Sequence, residues 1–134
     1  MSSKIFHVSG KRKNAVARAT IKAGKGNILF NKVQLEIIKP EINMLRLKEP
    51  LIIAGAVANQ VDIDVNVIGG GITSQAEAGR LVIARALVEF TKDEKLKKKY
   101  LEYDRQLLVA DVRRKEACKP NDSRARAKRQ KSYR

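Results

Sequence analysis

The side chains that could perform catalysis or hold a metal are few and widely separated in this sequence. His7 is the only histidine and Cys118 the only cysteine, and one of each supplies neither a zinc cluster nor a disulfide. Cys118 lies among charged residues near the end of the chain, without the rigid support that an activated nucleophile needs. We therefore predict no catalytic residue, no metal ion and no cofactor.

Two other patterns bear some likeness to ligand sites. Asp62 and Asp64 project to one side of a strand and could hold magnesium, although a polar sheet face or pairing with Lys and Arg explains them more simply. Residues 69–71 are three glycines between a strand and a helix, a context suited to anions. Neither the Walker nor the dinucleotide pattern is matched. We interpret the glycines as a tight turn. The alternative, which stays open, is that the turn lies close against an RNA backbone that a Cβ would keep away.

The charge of the chain carries a stronger signal. The net charge is +15 over 134 residues and the sequence pI is about 10.3, a self-repulsion that is usually tolerated because a polyanion neutralises it. Nucleic acid is the leading partner and an anionic membrane surface the weaker one. The sequence has no apolar stretch of transmembrane length, and its first ten residues have no signal-peptide pattern, so we expect an intracellular protein and no membrane partner.

The last sixteen residues, 119–134, form the most basic segment. No acidic residue follows Asp122, and the few apolar side chains cannot offset the entropy of folding. Arg124, Arg126 and Lys128 alternate, so an extended backbone would project all three to one side. The segment is either a solubilising terminus or, as we favour, a tail that threads into nucleic acid.

Other basic clusters complete the candidate contacts. The lysines at 95 and 97–99 are interspersed among the acids of the segment 93–102, so they fit a solvated helix face as well as an RNA contact. The remaining clusters, with the glycine turn, are the predicted RNA-binding residues: Lys11, Arg12, Lys13, Arg18, Gly70, Gly71, Arg113, Arg114, Lys115, Lys119, Arg124, Arg126, Lys128 and Arg129.

The strands that must position these residues come first in the chain. Residues 5–8 suggest a short strand, and residues 9–13 a basic turn. Residues 14–33 alternate around a glycine turn and predict a hairpin. The clearest strand is 61–67, where Val61, Ile63, Val65 and Val67 alternate with polar residues.

Helices are predicted between and after the strands. Residues 41–47 suit a short helix with Ile42 and Leu45 inward, and Pro50 is expected to begin another turn. Ser74 with Glu77 forms a capping box that predicts a helix over 74–90. Leu81, Ala84, Leu87 and Val88 share one face of it, so we expect this helix to be central and buried. Thr91 with Glu94 predicts a second helix to about 102. Together these elements indicate an α+β fold, a small mixed sheet with a central helix packed on it. We expect a globular RNA-binding domain over residues 1–110 and an extended basic tail over 111–134.

Several separated segments form a recognisable set: Ser9 to Lys13, the Gly24-Lys25-Gly26 turn, Gly69 to Gly71 with Gln75 to Ala78, Ala84 to Leu87, Leu107 to Arg114 and Lys131 to Arg134. Together they resemble one family, the small-subunit ribosomal protein number nine. The segments occur in the family's order and are spread over nearly the whole chain. The KSYR ending resembles the archaeal and eukaryotic branch, and the short N-terminus favours the archaeal one.

The resemblance implies a structural constituent of the cytoplasmic ribosome, seated on ribosomal RNA and beside neighbouring proteins in the head of the small subunit. It implies a left-handed β-α-β crossover and a tail that reaches the peptidyl-site tRNA, with Lys131, Ser132, Tyr133 and Arg134 at the contact. Val112 stands where many relatives carry proline, which leaves the direction of the tail open. The alternatives are a free-standing basic regulator that binds RNA or DNA and an enzyme acting on nucleic acid, the latter disfavoured because no carboxylate or metal constellation is present.

Overall fold

The fold is α+β, as the sequence predicts. In a computed structural model that describes residues 4–134, a five-stranded mixed sheet carries three α-helices. The strands are β1 (Ile5–Arg12), β2 (Ala15–Ala23), β3 (Ile28–Phe30), β4 (Val33–Gln34) and β5 (Val61–Ile68). The helices are α1 (Glu41–Ala54), α2 (Ile72–Thr91) and α3 (Glu94–Tyr103), with short 3-10 turns at Leu35–Ile37, Gly55–Gln60 and Arg105–Leu107.

The hairpin predicted over 14–33 is wrong. The strand order is β1-β2-β5-β3-β4, so β5 separates β2 from β3. β2 pairs antiparallel with β1 on one side and with β5 on the other, over eight residue pairs each. The three residues of β3 offer far fewer hydrogen bonds to β2 than the eight of β5 do. Local alternation identifies strands but carries no information on which distant strand is the better partner.

The basic turn predicted over residues 9–13 is also misplaced. β1 continues through Arg12, which pairs with Ala15, and the turn consists of Lys13 and Asn14 only. Lys13 has a positive φ of 53°. Residues 9–12 therefore alternate between the two faces of the sheet, and their basic side chains point in different directions.

A β-α-β unit joins the two halves of the sheet. β3 and β5 are parallel, with Ile28 opposite Ile63 and Phe30 opposite Val65, and the chain passes through β4 and α1 between them. The left hand of this crossover, implied by the family resemblance, stays a prediction.

The core lies between the sheet and α2, which packs on β1, β2 and β5. Small residues permit a close approach: Ala15, Ala17 and Ala19 of β2 are buried, and a Cβ on Gly79 would stand 2.7 Å from both Leu47 and Phe30. The strand predicted over 61–67 and the central helix are both confirmed. Leu81, Ala84 and Leu87 of α2 are buried as predicted.

The predicted helix starts differ from the observed ones. α2 begins at Ile72, with Gly71 as an N-cap that lacks a side-chain hydrogen bond, because the glycine turn directs the chain into the helix before Ser74 is reached. Thr91 is still part of α2 and donates to the Leu87 carbonyl at 2.8 Å. Asp93 caps α3, accepting a hydrogen bond from the Lys95 amide at 2.8 Å.

The orientation predicted for residues 41–47 is wrong as well. α1 is one continuous helix that includes Pro50, with Leu47 and Pro50 buried while Ile42 and Leu45 are 58% and 53% exposed. Apolar residues occur all round this helix, so its hydrophobic pattern does not select a single inward face.

A buried phenol links α3 to α1 and gives a stability prediction. Tyr100 is fully buried and its hydroxyl donates to the Pro50 carbonyl at 2.7 Å; burial raises the pKa of this phenol, which keeps it protonated as a donor. We expect Tyr100→Phe to lower the free energy of unfolding by about 0.5–1.5 kcal/mol, since the variant cannot form this hydrogen bond. Urea unfolding measures it.

Tyr103→Phe is the matched control. The Tyr103 hydroxyl donates to Glu49, but Tyr103 itself is 60% exposed. Its effect on the free energy of unfolding should be much smaller. Equal effects in the two variants would contradict the role given to Tyr100.

Candidate nucleic-acid interface

Three of the predicted basic contacts of the body are exposed on β1, on β2 and in the turn that joins them. Lys11 is exposed near the end of β1, and Lys13 is exposed in the adjoining turn. Arg18 is exposed in the middle of β2, between Ser9 of β1 and Asn66 of β5. Because side chains alternate along a strand, Lys11 and Arg18 lie on the sheet face opposite the buried alanines of β2, which we call the open face.

The glycine turn lies beside the β1–β2 turn. Gly69 and Gly70 have φ values of 78° and 69°. A Cβ on Gly69 would stand 2.7 Å from the Asn14 carbonyl oxygen, and one on Gly70 would stand 2.9 Å from the Ala15 amide nitrogen. Both glycines are therefore required by the fold itself.

Gly71 differs from its two neighbours. Its φ is −97°, which any residue adopts, and a Cβ placed on it would meet nothing within 4 Å. It is exposed, and α2 begins directly after it without a side-chain cap. The first amides of α2 thus have no intrahelical partner, so they can donate to an anion.

Arg12 is held inside the fold. Its Nε donates to Glu77 Oε2 at 2.7 Å, its Nη1 lies 3.3 Å from Asp111 Oδ2, and its side chain is only 15% exposed. Two carboxylates already neutralise its charge, so its guanidinium is poorly placed to meet a phosphate. An RNA contact at Arg12 stays a prediction, and this geometry favours a structural role.

Asp111 and Arg113 form a tight local pair where the tail begins. The Asp111 carboxylate is 8% exposed and accepts from the Arg113 backbone amide at 2.9 Å and from its Nη2 at 2.7 Å. The side-chain hydrogen bond from Arg113 is the main cause that holds the pKa of Asp111 well below its usual range. A carboxyl group with a lowered pKa becomes protonated only when the pH falls below its usual titration range. The ion pair between Asp111 and Arg113 is therefore intact at neutral pH.

Beyond this pair the tail is exposed and irregular. Residues 112–121 are all exposed, and the chain forms no helix or strand from 108 to 134. The predicted extended alternation is interrupted by turns over 120–126, where the Ala127 amide donates to the Arg124 carbonyl at 3.2 Å. Predicted contacts that the structure leaves exposed here are Arg114, Lys115, Lys119, Arg124, Arg126, Lys128, Arg129, Lys131, Ser132, Tyr133 and Arg134.

The candidate metal and catalytic residues are not brought together. Asp62 accepts from the Asn27 and Lys25 backbone amides at 3.0 and 2.9 Å, bonds that lower its pKa, so it holds the β2–β3 turn. Lys22 lies opposite Asp62 in the sheet. His7 lies 3.0 Å from the Thr20 hydroxyl, whereas Cys118 is exposed in the tail. Residues 4–134 contain no group of three His, Cys, Asp or Glu side chains that could hold a metal ion.

The lysines of α3 lie on the exposed side of the helix. Residues 95 and 97–99 are all exposed, while Leu96 and Tyr100 anchor the helix to the core. Contact with RNA there stays a prediction. None of the helices in the described part of the chain is long and apolar enough to cross a membrane.

Sequence reasoning missed the arginines of α2. Arg80 Nη2 donates to Asp104 at 2.9 Å and its Nε is paired with Glu49. Arg85 donates to the Leu108 carbonyl at 2.8 Å and to the Ser9 carbonyl at 3.0 Å. An arginine on a helix whose neighbours are nearly all buried is a signal for internal partners, and that signal could have been used.

Known proteins with similar sequences are ribosomal proteins. A basic α+β body with an exposed basic tail is typical of a ribonucleoprotein component. The family model described as ribosomal protein S9/S16 matches residues 10–134. Small ribosomal subunit protein uS9 from Methanococcus maripaludis strains C5 and C7 is 50% identical over 133 residues, covering 98% of this chain and 99% of each relative.

The chain belongs to the ribosomal protein S9 family. It is therefore a structural ribosomal protein and not an enzyme. The similarity to Methanococcus proteins is consistent with the archaeal character of its sequence.

Proposed function

We propose that this protein, a small-subunit ribosomal protein of the cytoplasmic ribosome, binds ribosomal RNA in the subunit head and extends its tail to the peptidyl-site tRNA. The proposal treats residues 1–110 as the RNA-binding body and 111–134 as the tail. The observation that carries it is the uneven distribution of charge. Residues 111–134 contain ten basic and three acidic residues, a net charge of +7 out of +15, on a segment that is largely exposed.

The body supplies a smaller set of RNA contacts. Lys13 lies in the β1–β2 turn, next to the glycine turn that leads into α2, where Gly71 leaves room for a phosphate to approach the helix amides. Lys11 lies on the open face. Arg18 presents a guanidinium on the open face. Arg12 and Gly70 serve the fold and act on RNA only through it.

The tail has the reach that the tRNA contact requires. Its 24 residues from 111 to 134 span about 80 Å when fully extended, several times the radius of a small domain. Lys131 to Arg134 are exposed, with Tyr133 89% exposed, so they are available to a second RNA molecule. The turns over 120–126 rest on exposed contacts such as Arg126 with Glu116 at 3.0 Å, which are weak enough to open on RNA. Neighbouring proteins of the head are further partners.

Sedimentation tests this function against a free-standing regulator. Tagged protein should travel with the small subunit on a gradient and stay there after a high-salt wash, because its contacts in the particle are specific as well as electrostatic. A basic protein held only by counterion release would leave as the salt rises. Recovery of the protein in the free fraction after the wash would overturn the proposal.

A further inference from the structure

The tail leaves the body at a defined point. Leu107 is fully buried and is the last residue of the chain in the core. The next carbonyl, that of Leu108, accepts a hydrogen bond from Arg85 Nε at 2.8 Å. Arg85 Nη1 also donates to the Ser9 carbonyl at 3.0 Å. One side chain of α2 thus ties the start of the tail to β1.

A second fastening lies three residues further on. The Asp111 side chain is 8% exposed, and its Oδ2 lies 3.3 Å from Arg12 Nη1. Arg12 is itself oriented by Glu77 at 2.7 Å. Arg113 Nη2 donates to the same Oδ2 at 2.7 Å, and Arg114 Nη1 donates to the Asp111 carbonyl at 3.2 Å.

Beyond Arg114 the side-chain hydrogen bonds and ion pairs of the described tail are with the tail itself. Arg126 pairs with Glu116 at 3.0 Å, and Arg129 donates to the Asn121 carbonyl at 3.1 Å. The direction in which the tail leaves is therefore set between Leu107 and Arg113.

We infer that Arg12, Arg85 and Asp111, with Arg113, form a clamp that fixes the exit direction of the tail. In this clamp Arg12 and Arg85 are positioning residues and not phosphate contacts. A tail whose root is already fixed loses less conformational freedom when RNA orders the remainder. The consequence for tRNA rests on the proposed function, whereas the clamp itself does not.

Backbone NMR relaxation on the isolated protein tests the clamp. We expect amide order parameters over 109–113 near about 0.85 in the parent chain, falling below about 0.6 in Asp111→Ala and Arg85→Met. Residues after about 119 should lie below about 0.6 in every variant. Arg18→Gln, which removes an arginine charge from the open face, is the control and should leave residues 109–113 rigid.

A milder substitution guards against unfolding. Where Arg85→Met fails to fold, Asp111→Asn keeps the shape of the side chain and removes only its charge, and it should also loosen residues 109–113. Residues 109–113 that are already mobile in the parent, or that stay rigid in both Asp111 variants, would overturn the clamp.

The Asp111 and Arg85 variants, assembled into small subunits, distinguish failure of the clamp from failure of the proposed function. Reduced tRNA retention with unchanged salt dependence of ribosomal RNA binding would support both. Loosened residues 109–113 with normal tRNA retention would support the clamp and overturn the tRNA contact of the tail. Rigid residues 109–113 would overturn the clamp whatever the tRNA result.

Discussion

Removal of residues 124–134 should flatten the salt dependence of binding to small-subunit ribosomal RNA by several units of slope. The cut takes away six basic side chains, Arg124, Arg126, Lys128, Arg129, Lys131 and Arg134. Each phosphate that the protein no longer neutralises lowers the slope of log affinity against log salt by about 0.7–0.9, because fewer counterions are released on binding. Filter binding across a salt series measures the slope.

Two control variants make this result specific. Removing Ser132 to Arg134 alone takes one basic side chain, so the slope should hardly change. Replacing the lysines at 95 and 97–99 by glutamine removes four exposed charges from α3 and shows whether that face also binds RNA. A slope that is unchanged by the long truncation would mean that the tail does not bind ribosomal RNA.

Substitutions in the glycine turn should separate folding from RNA binding. Gly70→Val places a Cβ against Ala15 at a φ of 69°, and we expect the free energy of unfolding to fall by about 1–3 kcal/mol, since the backbone is strained there. Incorporation into the particle should fall with it. A Cβ at position 71 meets nothing within 4 Å, so we expect Gly71→Val to have a stability close to that of the parent while its affinity for ribosomal RNA falls.

Unfolding by urea and affinity by filter binding provide the two readouts. Equal destabilisation by the two substitutions would contradict the structural distinction between Gly70 and Gly71. Gly71→Val with full RNA affinity would remove the start of α2 from the interface. Micromolar binding of free ATP or GTP, measured by calorimetry, would instead indicate a nucleotide pocket.

Local patterns predicted the elements well where one face is buried. The alternation of Val61, Ile63, Val65 and Val67 identified β5, and the aliphatic face around Leu81, Ala84 and Leu87 identified α2 as the central helix. The strand order was beyond reach, because the pairing of β5 with β2 joins residues that are about forty or more positions apart in sequence. Pattern alone could not weigh that pairing against a local hairpin.

The candidate nucleic-acid interface was likewise predictable from the sequence only in part. Composition located the basic tail, since charge density is a property of the sequence itself. It could not separate arginines that face solvent from those that face carboxylates. Arg12 lies between two lysines in the sequence, yet its partners Glu77 and Asp111 come from α2 and the root of the tail. Only the fold brings these three residues together.

Retention of peptidyl-site tRNA by small subunits that carry the chain without Ser132 to Arg134 tests the central claim most directly. Particle occupancy, measured by mass spectrometry, should be near normal because the body and most of the tail still bind ribosomal RNA. Filter binding should show weaker tRNA retention, by at most about 1.5–3 kcal/mol for the one charged hydrogen-bonding group that is removed, and by less where other contacts compensate. Unchanged tRNA retention at normal occupancy would contradict the account and leave the tail as an anchor in ribosomal RNA only.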